Sequence, residues 1–238
     1  MGDNTKCALI TGGSKGIGYG IAEALVRANY NVAVTSRSKA AAVEAASQLS
    51  AMGGGEAMAL EADVRNFGEQ ESAVRAVLDR WGRLDVLVAN AGIGHFASIE
   101  DLSPAQWQET LDTNLTGVFF SVKAALQALK EAKGYIITIS SLAGTNFFEG
   151  GAAYNASKFG LTGFSQAVML DLRKMGVRVT TIMPGSVATY FNNHTPNPGD
   201  EWKIQIEDLG QMVLDLLKMH PRTLPSKIEV RPAMPPGR

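Results

Sequence analysis

Short apolar runs alternate with stretches of helical spacing along nearly the whole sequence, and this alternation restricts the fold more than any single motif does. The runs cover residues 7–10, 31–35, 56–62, 84–88, 135–139 and 177–182, with a short last one at 228–230. Between them lie apolar positions three and four apart, the period of a helix that covers a core. One such segment passes through Ile21, Leu25 and Val26, another spans residues 40–52 and stops at Gly53-Gly54-Gly55, and a third spans 67–81. Ser103 as N-cap and Pro104 at the first helical position open a helix through Leu111, Leu115 and Val118. Two more helices follow, one from Tyr154 through Leu172 and one over 207–219. Strands joined by helices pair in parallel, and a parallel sheet needs helices on both faces. The expected fold is therefore α/β, a doubly wound parallel sheet of about seven strands, with any ligand across the strand C-termini. No linker, internal repeat or low-complexity segment divides residues 1–238, which read as a single domain.

Composition excludes several classes of function. A formal net charge of -1 gives no electrostatic reason to bind nucleic acid or an anionic membrane. Met1 to Lys6 is polar, and no uninterrupted apolar stretch approaches the roughly 20 residues of a spanning helix. A cytoplasmic protein with no membrane partner is expected. The lone cysteine, Cys7, has no partner for an internal disulfide and lies in an apolar run that predicts burial. No ligand cluster asks for a metal.

The motifs fall at strand ends. The first strand runs into Thr11-Gly12-Gly13-Ser14-Lys15-Gly16-Ile17-Gly18 and then a helix. In that context glycines let backbone N–H groups approach a phosphate, which the positive end of the helix attracts. A tight βα turn without a ligand is the plain alternative. Gly12 to Gly16 also fits the G-x-S-x-G elbow of hydrolases, with Ser14 as nucleophile, but that motif follows several earlier strands, and no histidine here has a triad setting. The second strand ends at Ser36-Arg37, where an NAD site would place an acid on the ribose hydroxyls. A guanidinium there pairs with a 2′-phosphate, and Lys15 adds a second cation, so NADP(H) is favoured over NAD(H). Asn114 is a poor helix former in an apolar segment, and burial would make it a hydrogen-bond hub or part of a polar relay. Tyr154 and Lys158 stand at i and i+4, sharing one face if the segment is helical. A cation beside a phenol favours the phenolate, which makes tyrosine a usable acid and base. Ser141, at the end of the apolar 135–139 strand, is placed to hold a substrate oxygen. From Tyr190 to Asp200 the composition turns to Asn, Pro, Thr and Gly, which reads as a mobile substrate flap at about residues 189–206.

Taken together, these pieces make the chain resemble the short-chain dehydrogenase/reductase family, in its short single-domain branch, from about Lys6 to Thr189. The resemblance implies a Rossmann-like domain and an NAD(P)-dependent enzyme that interconverts a carbonyl and an alcohol. It implies a catalytic set of Asn114, Ser141, Tyr154 and Lys158, with Ser141 preferred to Ser140 because the family serine lies thirteen residues before the tyrosine. Lys158 would lower the Tyr154 pKa and bind the nicotinamide ribose. For the cofactor it implies Gly12, Ser14, Lys15, Gly16, Ile17 and Gly18 at the pyrophosphate, and Ser36 and Arg37 at the ribose phosphate. Asp63 and Val64 would contact the adenine, and Asn90, Ala91 and Gly92 would border the adenosine. Pro184, Gly185, Val187 and Thr189 would wrap the carboxamide. Members commonly form homotetramers or homodimers, and no metal takes part in the chemistry. The C-terminal stretch Ser226-Lys227-Ile228-Glu229-Val230-Arg231-Pro232 departs from the glycine-containing strand of the 3-oxoacyl carrier-protein reductases. That points toward small ketones, semialdehydes or hydroxy acids, with the carrier-protein reductase as runner-up. His95, Phe96 and Tyr190 to His194 are candidate pocket residues, His95 facing solvent being the other reading. A noncatalytic dinucleotide-binding regulator is the rival class.

Overall fold

All four residues of the first strand, β1 (Cys7–Ile10), are buried, because β1 has a strand on each side and helices above and below. In the structure, a computed structural model describing residues 5–234, it pairs in parallel with β2 (Asn31–Ser36) and β4 (Val86–Ala89). The other strands are β3 (Ala57–Glu61), β5 (Tyr135–Ile139), β6 (Arg178–Pro184) and β7 (Lys227–Val230). They form one seven-stranded parallel sheet in the order β3-β2-β1-β4-β5-β6-β7. From β1 the chain first winds outward through β2 and β3, then crosses back to β4 and winds the other way. The reversal between β1 and β4 leaves a crevice at the strand C-termini, where neighbouring connections leave in opposite directions.

Alternate strand residues feed two separate cores, which is why these strands read as continuous apolar runs. Ile10, Val34 and Val88 face α1 (Gly16–Arg27), α2 (Lys39–Ala51) and α7 (Ile206–Lys218), meeting Leu25, Leu49 and Val213. Leu9, Ala33 and Leu87 face α3 (Phe67–Trp81), α5 (Gly117–Ala132) and α6 (Ala152–Leu172), meeting Val77, Leu129 and Leu161. Burying each such side chain contributes about 1.5–3 kcal/mol. Cys7 is buried, as its setting predicted.

The helix opened by Ser103 has the expected cap. Ser103 Oγ accepts from Gln106 N at 3.2 Å, and Gln106 Oε1 accepts from Ser103 N at 3.0 Å, a reciprocal capping box for α4 (Pro104–Leu111). The sequence predicted one uninterrupted helix through Val118. Instead, a π turn over Asp112–Thr116 separates α4 from α5. Such turns insert a residue into an α-helix and recur at functional sites. Here the turn carries Thr113 and Asn114 at the C-terminal side of the sheet.

Where α1 crosses α7 the helices touch backbone to backbone. A Cβ on Gly20 would lie 2.6 Å from the Ile206 carbonyl oxygen, and one on Gly210 would lie 2.6 Å from that of Gly20. Gly20→Ala is therefore expected to destabilise the fold by about 1–3 kcal/mol through overpacking. Urea unfolding checks this as a lower midpoint at unchanged slope; an unmoved midpoint would mean that the helices separate at no cost. After β6 the chain pairs Val187 with Ile204, Ala188 N donating to Ile204 O at 2.9 Å, and closes a loop over the strand ends.

Candidate active site

The glycine turn is built for close approach. Gly12 and Gly16 adopt φ of +63° and +58°, a region that disfavours side chains. Gly18 has no room for one: its Cβ would sit 2.5 Å from Asn90 Nδ2 and 2.6 Å from the Gly12 carbonyl oxygen. Asn90 is the staple of this turn, donating through Nδ2 to Thr11 O at 2.9 Å and Gly12 O at 3.1 Å. Thr11 Oγ1 accepts in return from Asn90 N at 3.0 Å and Ala91 N at 3.1 Å. So Asn90 lines the cleft, but its amide is spent on shaping the turn. The first turn of α1 has no acidic residue and no side-chain cap from Lys15, leaving its N–H groups available to an anion. Ser14 has no histidine partner: His95 meets Glu109, His194 meets Asp200, and His220 Nδ1 accepts from Arg222 N. The hydrolase reading of the elbow therefore falls.

Ser36 and Arg37 border the same cleft at the end of β2. Arg37 lies 4.0 Å from Glu109 Oε1, and Arg65 lies 3.4 Å from the same oxygen. Two guanidinium groups thus share one carboxylate at the cleft mouth. Arg65 also forks onto Asp63, Nη2 to Oδ2 at 2.6 Å, which holds the Asp63 carboxyl below its usual range. The Asp63 carboxylate is therefore spoken for, and what that residue offers the cleft is backbone and surface, beside a buried Val64. His95 borders the cleft while bonding Glu109 at 2.9 Å, so it is neither free in solvent nor a bare pocket wall.

The other end of the cleft gathers the tyrosine, serine and lysine. Tyr154 and Lys158 occupy successive turns of α6 and both face the cleft, as their spacing predicted. Ser141 lies on the same cleft as Tyr154, and its Oγ accepts from Ala143 N at 3.1 Å. Ser140, its neighbour, turns away to Thr162 Oγ1 at 3.1 Å and the Lys158 carbonyl at 3.3 Å. Extended backbone sends adjacent side chains to opposite sides, which separates the two serines. Lys158 is 4% exposed and donates to Ile139 O at 3.0 Å, with Nζ 5.7 Å from the Tyr154 ring centre. Burial pulls its ammonium down to about 8. Burial also raises the Tyr154 phenol, with the polar Ser141 side chain working the other way. The phenol expected to be lowered by the lysine instead sits above its ordinary value, because desolvation dominates and the group that pulls it down is Ser141. Asn114 is fully buried as a hub, its Oδ1 accepting from Ile93 N at 2.8 Å and its Nδ2 donating to Ile93 O at 2.8 Å and Ser157 Oγ at 3.0 Å. Gly92 lies against it, its Cβ position 3.2 Å from Asn114 Oδ1 and 3.7 Å from Lys158 Nζ.

Gly12, Arg37, Asp63, Asn90, Ser141, Tyr154 and Lys158 line one cleft of about 1690 Å³, with Ala91, Pro184, Gly185, Val187 and Thr189 along its walls, while the predicted site residues Gly18 and Asn114 lie behind that lining. Two observations suit it to a dinucleotide. A Cβ on Gly16 would project toward Thr189, 3.5 Å away, narrowing the gap between turn and opposite wall. Thr113 borders the cleft, and its buried hydroxyl has no hydrogen-bond partner among the described residues. Sequence reading missed Thr113, Arg65, Glu109 and Phe148. Phe148 was open to inference, since anything between Ser141 and Tyr154 must lie in the loop after β5. Among the described residues no group of three or more His, Cys, Asp or Glu is placed to hold a metal ion.

Comparison with known proteins supplies the lineage. The chain is 39% identical over 185 residues to a 3-oxoacyl-[acyl-carrier-protein] reductase of Synechocystis sp., covering 77% of this chain and 75% of that one. It is 38% identical over 189 residues to trans-4-hydroxycyclohexanecarboxylate dehydrogenase of Sinomonas cyclohexanicum, covering 77% and 73%. Its structure superposes with a TM-score of 0.92, at 30% identity and over 99% of this chain and 100% of the other, on an alcohol dehydrogenase of the archaeon Thermococcus sibiricus complexed with 5-hydroxy-NADP. The sequence profile of the short chain dehydrogenase family matches residues 6–198, and with the fold and cleft described above the chain belongs to that family of oxidoreductases.

Proposed function

We propose that the protein is an NADP(H)-dependent enzyme that interconverts a ketone or aldehyde and its alcohol, with Tyr154 as general acid and base. The observation that carries this reading is the convergence on one cleft of Ser141, at the end of β5, Tyr154 and, one helical turn on, buried Lys158. The bound dinucleotide supplies the hydride in reduction and takes it up in oxidation. Tyr154 gives its hydroxyl proton to the substrate oxygen in reduction and recovers it in oxidation. Ser141 holds that oxygen through a hydrogen bond formed before the reaction begins. Lys158 holds the nicotinamide ribose, and Asn114 fixes the Ile93 loop while its main chain, through a water, connects Lys158 to solvent. Gly12 to Gly18 carry the pyrophosphate, Asp63, Val64 and Asn90 to Gly92 the adenosine, and Pro184 to Thr189 the carboxamide. The segment at about 189–206 serves as the substrate flap, pinned by Asp200, which accepts from Lys203 at 2.6 Å and meets His194 at 2.5 Å. The protein works in the cytoplasm as a homotetramer or homodimer, α5 and α6 packing across subunits. Half-exposed Phe119 and Phe159 on those helices support that assembly.

The test follows NADPH absorbance with a panel of ketones and aldehydes. Turnover is expected with several of them. Tight nucleotide binding without turnover would favour the regulator reading, against which the intact Asn114, Ser141, Tyr154 and Lys158 set argues. The Synechocystis relative keeps the 3-oxoacyl carrier-protein reductase as runner-up, and an acetoacetyl thioester in the panel decides it.

The cofactor preference rests on Arg37. Arg37→Ala is expected to weaken NADPH about tenfold to a hundredfold, the worth of a charge-assisted hydrogen bond, and to leave NADH nearly unchanged. Glu109→Gln should move NADPH the other way, because a carboxylate beside Arg37 and Arg65 opposes a 2′-phosphate. Equal loss of both nucleotides in Arg37→Ala would refute the contact.

A further inference from the structure

Three phenylalanines from three separate loops cluster beside Tyr154, two of them against its ring and the third behind Phe96. Phe96, after β4, lies 5.3 Å from the Tyr154 ring centre at an interplanar angle of 74°. Phe191, after β6, lies 5.7 Å from Tyr154 and 6.2 Å from Phe96. Phe148, after β5, stands edge-on to Phe96 at 5.6 Å. Rings packed against one another in a core lose their surface, yet these stay 40%, 37% and 47% exposed, and all three line the cleft. The backbone makes room for them. A Cβ on Gly94 would sit 2.7 Å from Phe191 and 2.9 Å from Phe96, and one on Gly151 would sit 2.7 Å from Phe148. Cations at this end are held by other groups: Lys158 by the Ile139 carbonyl, Lys203 by Asp200, and Arg231 by Glu229. Beyond Ser141 and Lys158, the side chains packed on the Tyr154 ring are therefore aromatic.

We infer that the substrate is an aryl ketone, with its 1-arylalkanol as the reduced form, and that Phe96, Phe148 and Phe191 grip the aryl ring beside the reacting carbon. The inference rests on the oxidoreductase reading above. An aryl ring meets such a wall edge to face and gains contact beyond simple apolar burial. A flexible straight chain gives up rotamer freedom for weaker contacts, and the amides of a carrier arm would be stripped of water against phenyl faces. The reaction balances as follows. The ketone carbon gains a hydride from the reduced dinucleotide, and its oxygen gains the Tyr154 proton, later replaced from solvent. The products are a secondary alcohol and the oxidised dinucleotide.

The experiment compares kcat/KM for acetophenone, 2-octanone of equal carbon count, and acetoacetyl-CoA, in wild type, Phe148→Ala and Phe191→Ala. Binding of NADP+ by fluorescence reports that each variant is folded. Acetophenone is expected to exceed 2-octanone by about tenfold, and each variant to lose about tenfold on acetophenone while 2-octanone changes about twofold or less. A wild-type preference for 2-octanone or acetoacetyl-CoA, or equal losses on both ketones, would overturn the inference and leave the oxidoreductase reading standing. No turnover of any carbonyl would remove the reading and the inference together.

Discussion

Tyr154→Phe is expected to cut turnover in both directions by about a hundredfold to ten-thousandfold, the range that a positioned general acid contributes. The substitution removes one oxygen and keeps the ring that packs against Phe96 and Phe191, so the fold and nucleotide affinity should survive. The pH dependence sharpens the test. Reduction needs the protonated phenol, which burial holds above its ordinary value, so the proton donor persists into alkaline solution. Oxidation needs the phenolate, so its rate should climb as pH rises. Tyr154→Phe should flatten that climb. Near-wild-type turnover in this variant would mean that another group carries the proton, and the proposed mechanism would fail.

Lys158→Met is expected to have two opposite effects, a large loss of activity and a gain in stability. The ammonium is buried and its pKa falls from 10.5 to about 8, which corresponds to roughly 3 kcal/mol spent on keeping the charge inside the folded protein. Below about pH 8 that cost is present in full. Between about pH 8 and 10.5 the unfolded chain holds the proton and the folded chain does not, so wild-type stability should rise with pH across that window. Methionine removes the charge at similar volume, but it leaves the Ile139 carbonyl without its 3.0 Å partner, which takes back about 1–3 kcal/mol. A net gain of about 1 kcal/mol at neutral pH remains; it is lost near pH 9 and turns into a net loss by about pH 10, where the charge cost is nearly gone and the unpaired carbonyl is not. Urea unfolding at several pH values measures it. A variant less stable than wild type at neutral pH would show that the buried ammonium is compensated by more than that one carbonyl. The opposition of stability and activity at one residue is what a functional rather than a structural lysine should show.

Much of the molecule was legible before any coordinates. Each of the seven strands came from a local apolar run, and their ends moved by only one or two residues. The Ser103 cap was legible too, because a capping box lies within four residues of chain. The π turn was not. It depends on Asn114 finding Ile93 and Ser157, partners distant in sequence, and no helical period announces them. The charged mouth was half legible: Arg37 declared itself by its position after β2, but Glu109 and Arg65 reach it from α4 and the loop after β3.

The tyrosine–lysine pair shows where the boundary falls. Helical spacing alone put both side chains on one face and at one strand end, since that geometry repeats every turn. The proton affinity expected of the phenol was not borne out, because desolvation depends on everything packed around it; here burial raises the phenol and depresses the ammonium. Phe96, Phe148 and Phe191 are likewise ordinary loop residues until three strand ends bring them into one cluster beside Tyr154. Local backbone preference and hydrophobic period are written in neighbouring residues, so sequence alone determined the sheet, the glycine turn and the family. Burial and the meeting of distant loops exist only once the chain has closed on itself, so the tertiary structure decided the electrostatics of the site and the shape of its pocket.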